Sequence, residues 1–536
     1  MRLSHAFSSP LARGHSTDFV GGTHAHATRK QVVDAKPVAS RWWEPQPIVA
    51  VAAGFLYSKS MNRFLDRTSP ARRIFCNRTL NMKSIRAVGF DMDYTLIHYH
   101  VTAWEGRAYA YVRQRLEADG WPVADLTFDP SLFSRGLVVD EELGNVVKAD
   151  RFGFIRRASH GTRMLSFEEQ RDVYGDVQVD LGAPRWTFMN TFFSLSEACL
   201  YGQLVELLDS GALPGVLGYA DLSRRIRSHL DATHMEGELK REIVTAPDRF
   251  VDRDADLVLT LLDLKRAGKL LLLITNSEWD YTKAMMQYAL DGQLPEGMTW
   301  RELFDIVIVA SRKPDFFTSR APAFEVVDEQ GLLRPLNHPM AAGGVYLGGN
   351  ARQVEMDLGL SGEEFLFVGD HIFADVHASK SHFRWRTALV IRELEDEVLA
   401  LESFKEKQRE LTRKMVDKEK REQEHASLRL LLQRMEAGYG PAVEMTASAL
   451  KARLQELRKE INELDETIAP LARQAVELVN SRWGLLMRAG NDKSHLARQV
   501  ERYADIYMSR VSNLLQVTPF FYLRAPRGSL PHDSGA

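Results

Sequence analysis

Asp91 and Asp93 stand one residue apart at the end of the apolar run Ala87-Val88-Gly89-Phe90. Two nearby carboxylates can divide labour, one as a nucleophile and the other as a proton donor and acceptor. They also form a hard oxygen site suited to Mg2+. A strand followed by an Asx turn explains the same residues without chemistry, so the pair gains meaning from its company. Thr275, Asn276 and Ser277 follow the apolar run 269–274 and can hydrogen-bond phosphate oxygens. Arg312-Lys313-Pro314 follows the run 304–309; a lysine there can neutralise phosphate charge and help hold the nucleophile. Gly369-Asp370-His371 and then Asp375 follow the run 365–368. Gly369 permits a tight backbone path, and Asp370 can complete a metal's oxygen shell. Taken singly, these residues read equally well as helix caps, turn residues or a solvated charge. All of them at successive strand ends, in this order, make a catalytic site the better reading.

Those residues converge only if the strands that carry them lie side by side. The apolar pattern predicts strands over 85–90, 269–274, 304–309, 344–347, 365–368 and 387–391, with a helix over 254–266. Helices alternating with such strands give the α/β class, a doubly wound, Rossmann-like parallel sheet. Ligands bind such sheets at the carboxyl ends of the strands. Residues 100–250 read as mixed helical and irregular sequence with many aromatics.

A chain of 536 residues exceeds one ordinary core, and its 45% hydrophobic and 26% charged residues are those of a globular protein. A net charge of −3 offers no electrostatic case for nucleic acid or an anionic membrane as partner. Cys76 and Cys199 lack CxxC or Cys/His metal spacing, which predicts buried free thiols in a reducing compartment. Residues 1–60 are rich in His, Ser, Thr, Ala and Gly. Their apolar run 48–57 is too short to span a bilayer and too far from the start for a signal peptide. Asp18, Asp34 and Glu44 count against a transit peptide. The expectation is an extension that is disordered or mis-assigned, with translation beginning at Met61.

The expected partition is an extension at 1–60, the α/β core at 61–100 and 251–393, and a cap at 101–250. A charged helical segment follows at 394–478, and 479–536 returns to the core. In the helical segment Leu450, Leu454, Leu457, Ile461, Leu464, Ile468 and Leu471 form an a/d seam after a break at Gly438-Tyr439-Gly440-Pro441. Two antiparallel helices joined at that break fit the pattern. The seam serves either intrachain packing or a homo-oligomer interface, and its mixed charges exclude a nucleic-acid arm.

The strand-end set, Asp91-Met92-Asp93-Tyr94-Thr95 with Thr275-Asn276, Lys313 and Gly369-Asp370 through Asp375, resembles the haloacid dehalogenase superfamily of phosphohydrolases. More closely, the chain from Ile74 to Asp533 is similar to the cytosolic purine 5′-nucleotidases that prefer IMP and GMP. Arg135-Gly-Leu-Val-Val-Asp140, Gly144-Asn-Val-Val-Lys-Ala-Asp150, Trp385-Arg-Thr387, the run 498–507, Arg524-Ala-Pro-Arg527 and Pro531-His-Asp533 carry this likeness. The resemblance implies attack of Asp91 on a nucleoside 5′-monophosphate, giving an aspartyl-phosphate. Asp93 would protonate the leaving ribose oxygen and later deprotonate water. Mg2+ would be held by Asp91, the Asp93 carbonyl and Asp370. Thr275, Asn276 and Lys313 would bind phosphoryl oxygens, and Asp375 would orient metal-bound water or Lys313. Transfer of the phosphoryl group to another nucleoside is a family alternative to hydrolysis.

The resemblance also assigns purine stacking to Phe193, and the base and ribose pocket to Arg227, Asp231, His234 and Lys240. Arg227, Asp231 and His234 share a helix face by spacing, which equally describes a solvated face with an ion pair. Ser194 and Met235 depart from the Asn and Tyr of the family pattern. At the family's effector site Asn190, Phe373, Gln499 and Tyr503 match, whereas Ser381 replaces a lysine. The favoured expectation is a cytoplasmic, Mg2+-dependent purine 5′-nucleotidase whose partner is a small-molecule nucleoside monophosphate, with no nucleic acid and no membrane. The alternatives are a phosphatase for another phosphomonoester and a non-catalytic protein that binds partners through its helical hairpin.

Overall fold

Short, continuously apolar runs such as Leu271-Leu272-Leu273-Ile274 and Ile306-Val307-Ile308-Val309 are stable only where both faces of a strand are covered. The computed structural model describes residues 69–526, apart from positions 192 and 443 and the side chains of 234–236. In it these runs form the middle of a ten-stranded sheet. Its strands in chain order are β1 (Phe75–Cys76), β2 (Ala87–Phe90), β3 (Leu270–Ile274), β4 (Ile306–Val309), β5 (Ala323–Val326), β6 (Leu333–Pro335), β7 (Gly344–Gly348), β8 (Phe365–Gly369), β9 (Arg386–Val390) and β10 (Ile506–Met508). Their spatial order is β1-β10-β9-β8-β2-β3-β4-β7-β5-β6. From β10 through β7 all neighbours run parallel. Antiparallel pairing is confined to the edges, at β1, β5 and β6.

This is the doubly wound α/β arrangement. The chain moves outward from β2 through β3 and β4 to β7, then returns to the other side of β2 as β8, β9 and β10. The winding reverses at β2, the place where such sheets open a crevice. Register aligns Phe90 with Leu273 and with Val368, so the residues after β2, β3 and β8 emerge on one rim. The observed strands trim the sequence-based ranges at several ends. β2 begins at Ala87 rather than at 85. β4 begins at Ile306 rather than 304, because Thr299 and Glu302 form a capping box that holds Trp300–Leu303 as a 3-10 turn up to Phe304.

Between β2 and β3 the structure corrects the expectation of helical and irregular sequence. Alongside the helices α1 (Val101–Ala118), α2 (Ser194–Asp209), α3 (Tyr219–Glu236) and α4 (Glu238–Thr245) lies a five-stranded antiparallel sheet. Its spatial order is Arg163–Met164, Ile155–His160, Asn145–Ala149, Val138–Asp140 and Trp186–Phe188. A strand reading Ile-Arg-Arg-Ala-Ser-His is too short and polar to announce itself by apolar pattern. One apolar cluster runs from Val88, Phe90 and Leu273 through Tyr94 and Trp104 to Leu195, Leu204, Leu222 and Ile226. The helices of this region are thus packed into the same core as the main sheet. Cys199 is buried there, but Cys76 is only half-buried on the edge strand β1, contrary to the expectation for both thiols.

Beyond β9, α5 (Leu394–Glu436) and α6 (Ala447–Val476) form a long antiparallel hairpin. Leu450, Leu457 and Ile468 of the seam are buried, as are Phe404 and Leu411 of α5. Ion pairs Lys418–Asp465 (2.6 Å), Arg421–Glu460 (2.7 Å) and Arg453–Glu424 (2.9 Å) cross between the two helices. Part of the seam thus packs within the chain, while Leu454, Ile461, Leu464 and Leu471 remain half-buried. At its root, the Glu397 carboxylate accepts the main-chain N–H groups of Leu486 and Met487. Among the described residues no helix is long and apolar enough to cross a membrane. Residues 1–60 and the start expected at Met61 lie outside the described residues.

Candidate active site

Asp91 leaves the tip of β2, and the chain then turns sharply. The N–H groups of Thr95, Leu96 and Ile97 all point at the Met92 carbonyl, at 3.2, 3.0 and 3.0 Å, and this turn carries the Asp93 side chain back over the strand ends. Tyr94 (φ 54°), Ala310 (φ 45°) and Arg312 (φ 60°) take left-handed backbone in the loops after β2 and β4. For residues with a Cβ such conformations cost about 1–3 kcal/mol each and persist only where surroundings enforce them, often at functional sites.

The Lys313 ammonium lies 2.8 Å from Asp91 Oδ1 and 2.8 Å from Asp375 Oδ1, with its side chain only 2% exposed. Asp91 Oδ1 also accepts the Met92 N–H at 2.8 Å, which leaves Oδ2 for an incoming ligand. Burial pushes the Asp91 carboxyl up to about 7; Lys313 opposes this and the neighbouring Asp375 charge adds to it. Lys313 itself is raised, because the two carboxylates outweigh its burial, and stays cationic. Asn276 fastens this loop: its Oδ1 accepts the Lys313 N–H (2.6 Å) and the Ser311 hydroxyl (2.9 Å), while its Nδ2 donates to the Lys313 carbonyl (3.1 Å). Both ends of the amide are thus engaged with the lysine loop. Thr275 is buried, and its Oγ1 accepts the Ser277 N–H at 3.0 Å.

Asp91, Asp370 and Asp375 each offer an oxygen, all within 4.8 Å of one another. Burial drives the Asp370 carboxyl far above its usual range against the pull of Arg135, and its Oδ2 is buried without a hydrogen-bond partner. Three carboxylates around one lysine, one with an orphaned oxygen, suit a hard divalent cation such as Mg2+. Asp375 is already engaged by Lys313 and by the His371 N–H (3.1 Å). Asp91 and Asp370 therefore keep the available ligand atoms. Gly369 is required for space rather than for backbone freedom, since a Cβ there would lie 2.4 Å from Asp375 Oδ2. After Asp370 the chain enters a π-helical turn, Ile372–His377, capped by His371 Nδ1, which accepts the N–H groups of Phe373 and Ala374. Burial lowers His371 to about 4, so its ring is neutral and able to accept.

Further residues, among them two tyrosines with no sequence signal, complete the site. Asp93 Oδ1 accepts the Tyr99 hydroxyl, and Oδ2 accepts the Ser277 hydroxyl at 2.7 Å. The Tyr99 and Tyr281 hydroxyls meet at 3.1 Å. Burial, reinforced by Asp93, lifts the Tyr99 phenol far above its ordinary range, so it keeps its proton. The Arg135 guanidinium donates to the Asp370 carbonyl. Apart from Tyr99 and Asp93, six positions apart, these contacts join residues far apart in the chain; Ser277 and Arg135 stood out beforehand, Tyr99 and Tyr281 did not.

Among the residues expected to bind the nucleoside, Lys240 on α4 reaches the neighbours of Asp93. Its Nζ lies 3.5 Å from the Ser277 hydroxyl and 5.0 Å from the centre of the Tyr281 ring. Phe193, at the start of α2, packs edge-on against Tyr94 (4.8 Å) and Trp104 (5.7 Å). Arg227 reaches across from α3 to Glu197 on α2 at 2.8 Å. Asp231 is exposed on α3, and its charge acts on Arg227 and Glu197. The side chains of His234 and Met235 lie outside the described residues. Asn190, Phe373, Gln499 and Tyr503 line a separate cleft of about 570 Å³, together with Arg498 and Arg502.

The family model described as "5′ nucleotidase family" matches residues 74–535. A 5′-nucleotidase domain-containing protein of Dictyostelium discoideum is 26% identical over 474 residues, 86% of this chain and 74% of its own. 5′-Nucleotidase domain-containing protein 2 of Homo sapiens is 26% identical over 477 residues, covering 86% of this chain and 85% of its own. Among solved structures, an archaeal β-phosphoglucomutase from a hyperthermophilic Pyrococcus shares 10% identity across 57% of this chain and 87% of its own, with a TM-score of 0.28. A HAD phosphatase from Thermococcus onnurineus shares 14% identity over the same fractions, with a TM-score of 0.24. Superpositions this slight carry no argument, and the fold rests on its own strand order.

Proposed function

Because the chain belongs to the 5′ nucleotidase family, we propose that it is a Mg2+-dependent 5′-nucleotidase that hydrolyses purine nucleoside 5′-monophosphates through an aspartyl-phosphate. Family membership makes it a phosphoric monoester hydrolase. The observation that carries the mechanism is the Lys313 ammonium set 2.8 Å from Asp91 and 2.8 Å from Asp375. It holds the nucleophile by one oxygen and presents a buried positive charge to the incoming phosphate.

Asp91 Oδ2 attacks phosphorus; the new P–O bond forms as the bond to the ribose 5′-oxygen breaks, and Asp93 gives that oxygen its proton. Asp93, now ionised, takes a proton from a water whose oxygen attacks the phosphorus. The bond to Asp91 then breaks, releasing phosphate and restoring both carboxyl groups to their starting states. Thr275 and Lys313 face the phosphoryl oxygens, while Asn276 holds the lysine loop in register. Asp91, Asp370 and the Asp93 carbonyl would hold Mg2+, which supplies charge neutralisation for the phosphoryl oxygens when bound. Asp375 orients Lys313.

Purine choice rests on Phe193, Arg227, Asp231, His234 and Lys240. One observation favours the second reading, a different phosphomonoester: the Phe193 ring is packed against Tyr94 and Trp104, and Arg227 is already paired with Glu197. A panel of IMP, GMP, AMP and sugar phosphates with Mg2+ separates the two. Preference for IMP or GMP, with loss in Asp91→Asn of both turnover and acid-stable labelling by the phosphoryl group, is the expected result. Unchanged turnover in Asp91→Asn overturns the mechanism, and preference for a sugar phosphate overturns the purine assignment.

A further inference from the structure

The carboxylate of Asp93 is held differently at its two oxygens. At Oδ1 stands the Tyr99 hydroxyl, buried and fixed on every side. Tyr99 sits on the short strand His98–Tyr99, which pairs with Val251–Asp252. Its ring lies 4.3 Å from Trp104 and edge-on to Tyr94 at 5.3 Å. Both of its side-chain torsions are therefore set by packing, the condition for holding a reacting group within a fraction of an ångström. Behind it lies Tyr281, also buried, from the helix Trp279–Leu290, with the two hydroxyls 3.1 Å apart.

Each phenol carries one proton, which orders the chain. Tyr99 spends its proton on Asp93 Oδ1, and it therefore accepts from Tyr281. At Oδ2 the partner is Ser277, a hydroxyl able both to donate and to accept. Ser277 also stands beside Lys240 Nζ, on the side where the cap meets the strand ends.

We propose that the Tyr99–Tyr281 hydroxyl pair positions Asp93 for proton transfer, pinning Oδ1 so that Oδ2 alone exchanges the proton with the leaving oxygen and then with water. The inference rests on the acid–base role given to Asp93 above. With Tyr99 directed at Oδ1, a proton on the carboxyl group has only Oδ2 to occupy. Ser277 then turns from donor to acceptor, and turns back when the proton leaves. Tyr99 and Tyr281 touch no substrate; they act through Asp93.

The test uses leaving groups that differ in their need for a proton. IMP expels an alkoxide that must be protonated, whereas p-nitrophenyl phosphate expels a stable phenolate. In Tyr99→Phe, kcat on IMP should fall roughly 10- to 100-fold, a fraction of what general acid catalysis supplies, with KM nearly unchanged. The first burst of nitrophenolate should keep its wild-type rate, followed by slow turnover, because the water step still needs Asp93. Tyr281→Phe should show the same split in weaker form. In an Asp93→Asn background, Tyr99→Phe should cost nothing further. Equal slowing of the burst and of IMP turnover, a rise in KM alone, or an added loss in the Asp93→Asn background overturns the proposal. If Tyr99→Phe does not fold, the split must appear in Tyr281→Phe, and its absence there overturns the proposal equally. Unchanged kinetics in Asp93→Asn itself would instead remove the acid–base reading on which the proposal stands.

Discussion

The Arg135 guanidinium donates to the main-chain carbonyl of Asp370, a residue 235 positions further along the chain. The same side chain, wholly buried, donates to the Asn190 carbonyl at 2.8 Å and lies 3.6 Å from Glu393 just before α5. One guanidinium thus ties the cap, the strand end that carries Asp370, and the root of the helical hairpin. Arg135→Lys keeps the charge but loses the planar fork. The Mg2+ concentration for half-maximal activity should rise roughly 10-fold or more, as for other residues that orient metal ligands. A Mg2+ titration of activity, paired with direct Mn2+ binding measured by electron paramagnetic resonance, checks it. Unaltered Mn2+ affinity would remove the link.

Lys313 is the only cation paired with both Asp91 and Asp375 among the described residues. Lys313→Met leaves those buried carboxylates uncompensated, which should destabilise the fold by about 3–5 kcal/mol. Activity should fall by roughly 100-fold or more as the charge facing the phosphoryl group is lost. Added Mg2+ should recover part of the lost melting temperature, and recover more in the variant than in the parent, because a divalent cation supplies the missing charge. Melting curves with and without Mg2+ provide the comparison.

At Gly369 a Cβ would stand 2.4 Å from Asp375 Oδ2 and 2.5 Å from its Cγ. Gly369→Ala must therefore displace Asp375, and with it the lysine that holds Asp91. We expect a loss of about 100-fold in kcat, the scale of a 1 Å misplacement, alongside an overpacking cost of only about 1–3 kcal/mol. A variant that unfolds outright, or one with normal kcat, would contradict this.

Glu105 on α1 is buried against α2, where its Oε2 accepts the Ser196 N–H at 3.1 Å. Burial raises its pKa from 4.5 to about 7, with Ser196 opposing. Between those values the folded protein holds a proton that the unfolded chain has released, so stability falls as pH rises through this window. The full penalty is present above about pH 7 and absent below 4.5. Glu105→Gln removes the titration. It should be more stable than the parent at pH 8 by up to roughly 3 kcal/mol, and the gap should close toward pH 4.5. Denaturant midpoints across pH test the sign as well as the size.

Much of the strand-end rim was legible because it is written locally. Asp91, Thr275, Lys313 and Asp370 each follow an apolar run, and parallel strands deliver whatever follows them to the same edge. The helical hairpin was legible for a similar reason, its seam repeating over several turns. The cap sheet was not, because strands of two to six residues such as Ile155–His160 are half polar and gain their pattern only from neighbours. Nor did the chain order reveal that Asn276 would clasp the Lys313 loop, or that Arg227 would meet Glu197.

The amino-acid sequence by itself determined the kind of chemistry, since residue type after a buried strand sets which groups reach the rim. Tertiary structure alone decided how those groups are held: Tyr99 on one oxygen of Asp93, Ser277 on the other, Arg135 behind Asp370. Partners such as these are chosen by packing between segments up to hundreds of residues apart, and no local spacing encodes which buried hydroxyl or guanidinium will arrive. The seam of α5 and α6 follows the same rule, for its heptads specify a helical partner but only the folded chain shows that α5 packs against it.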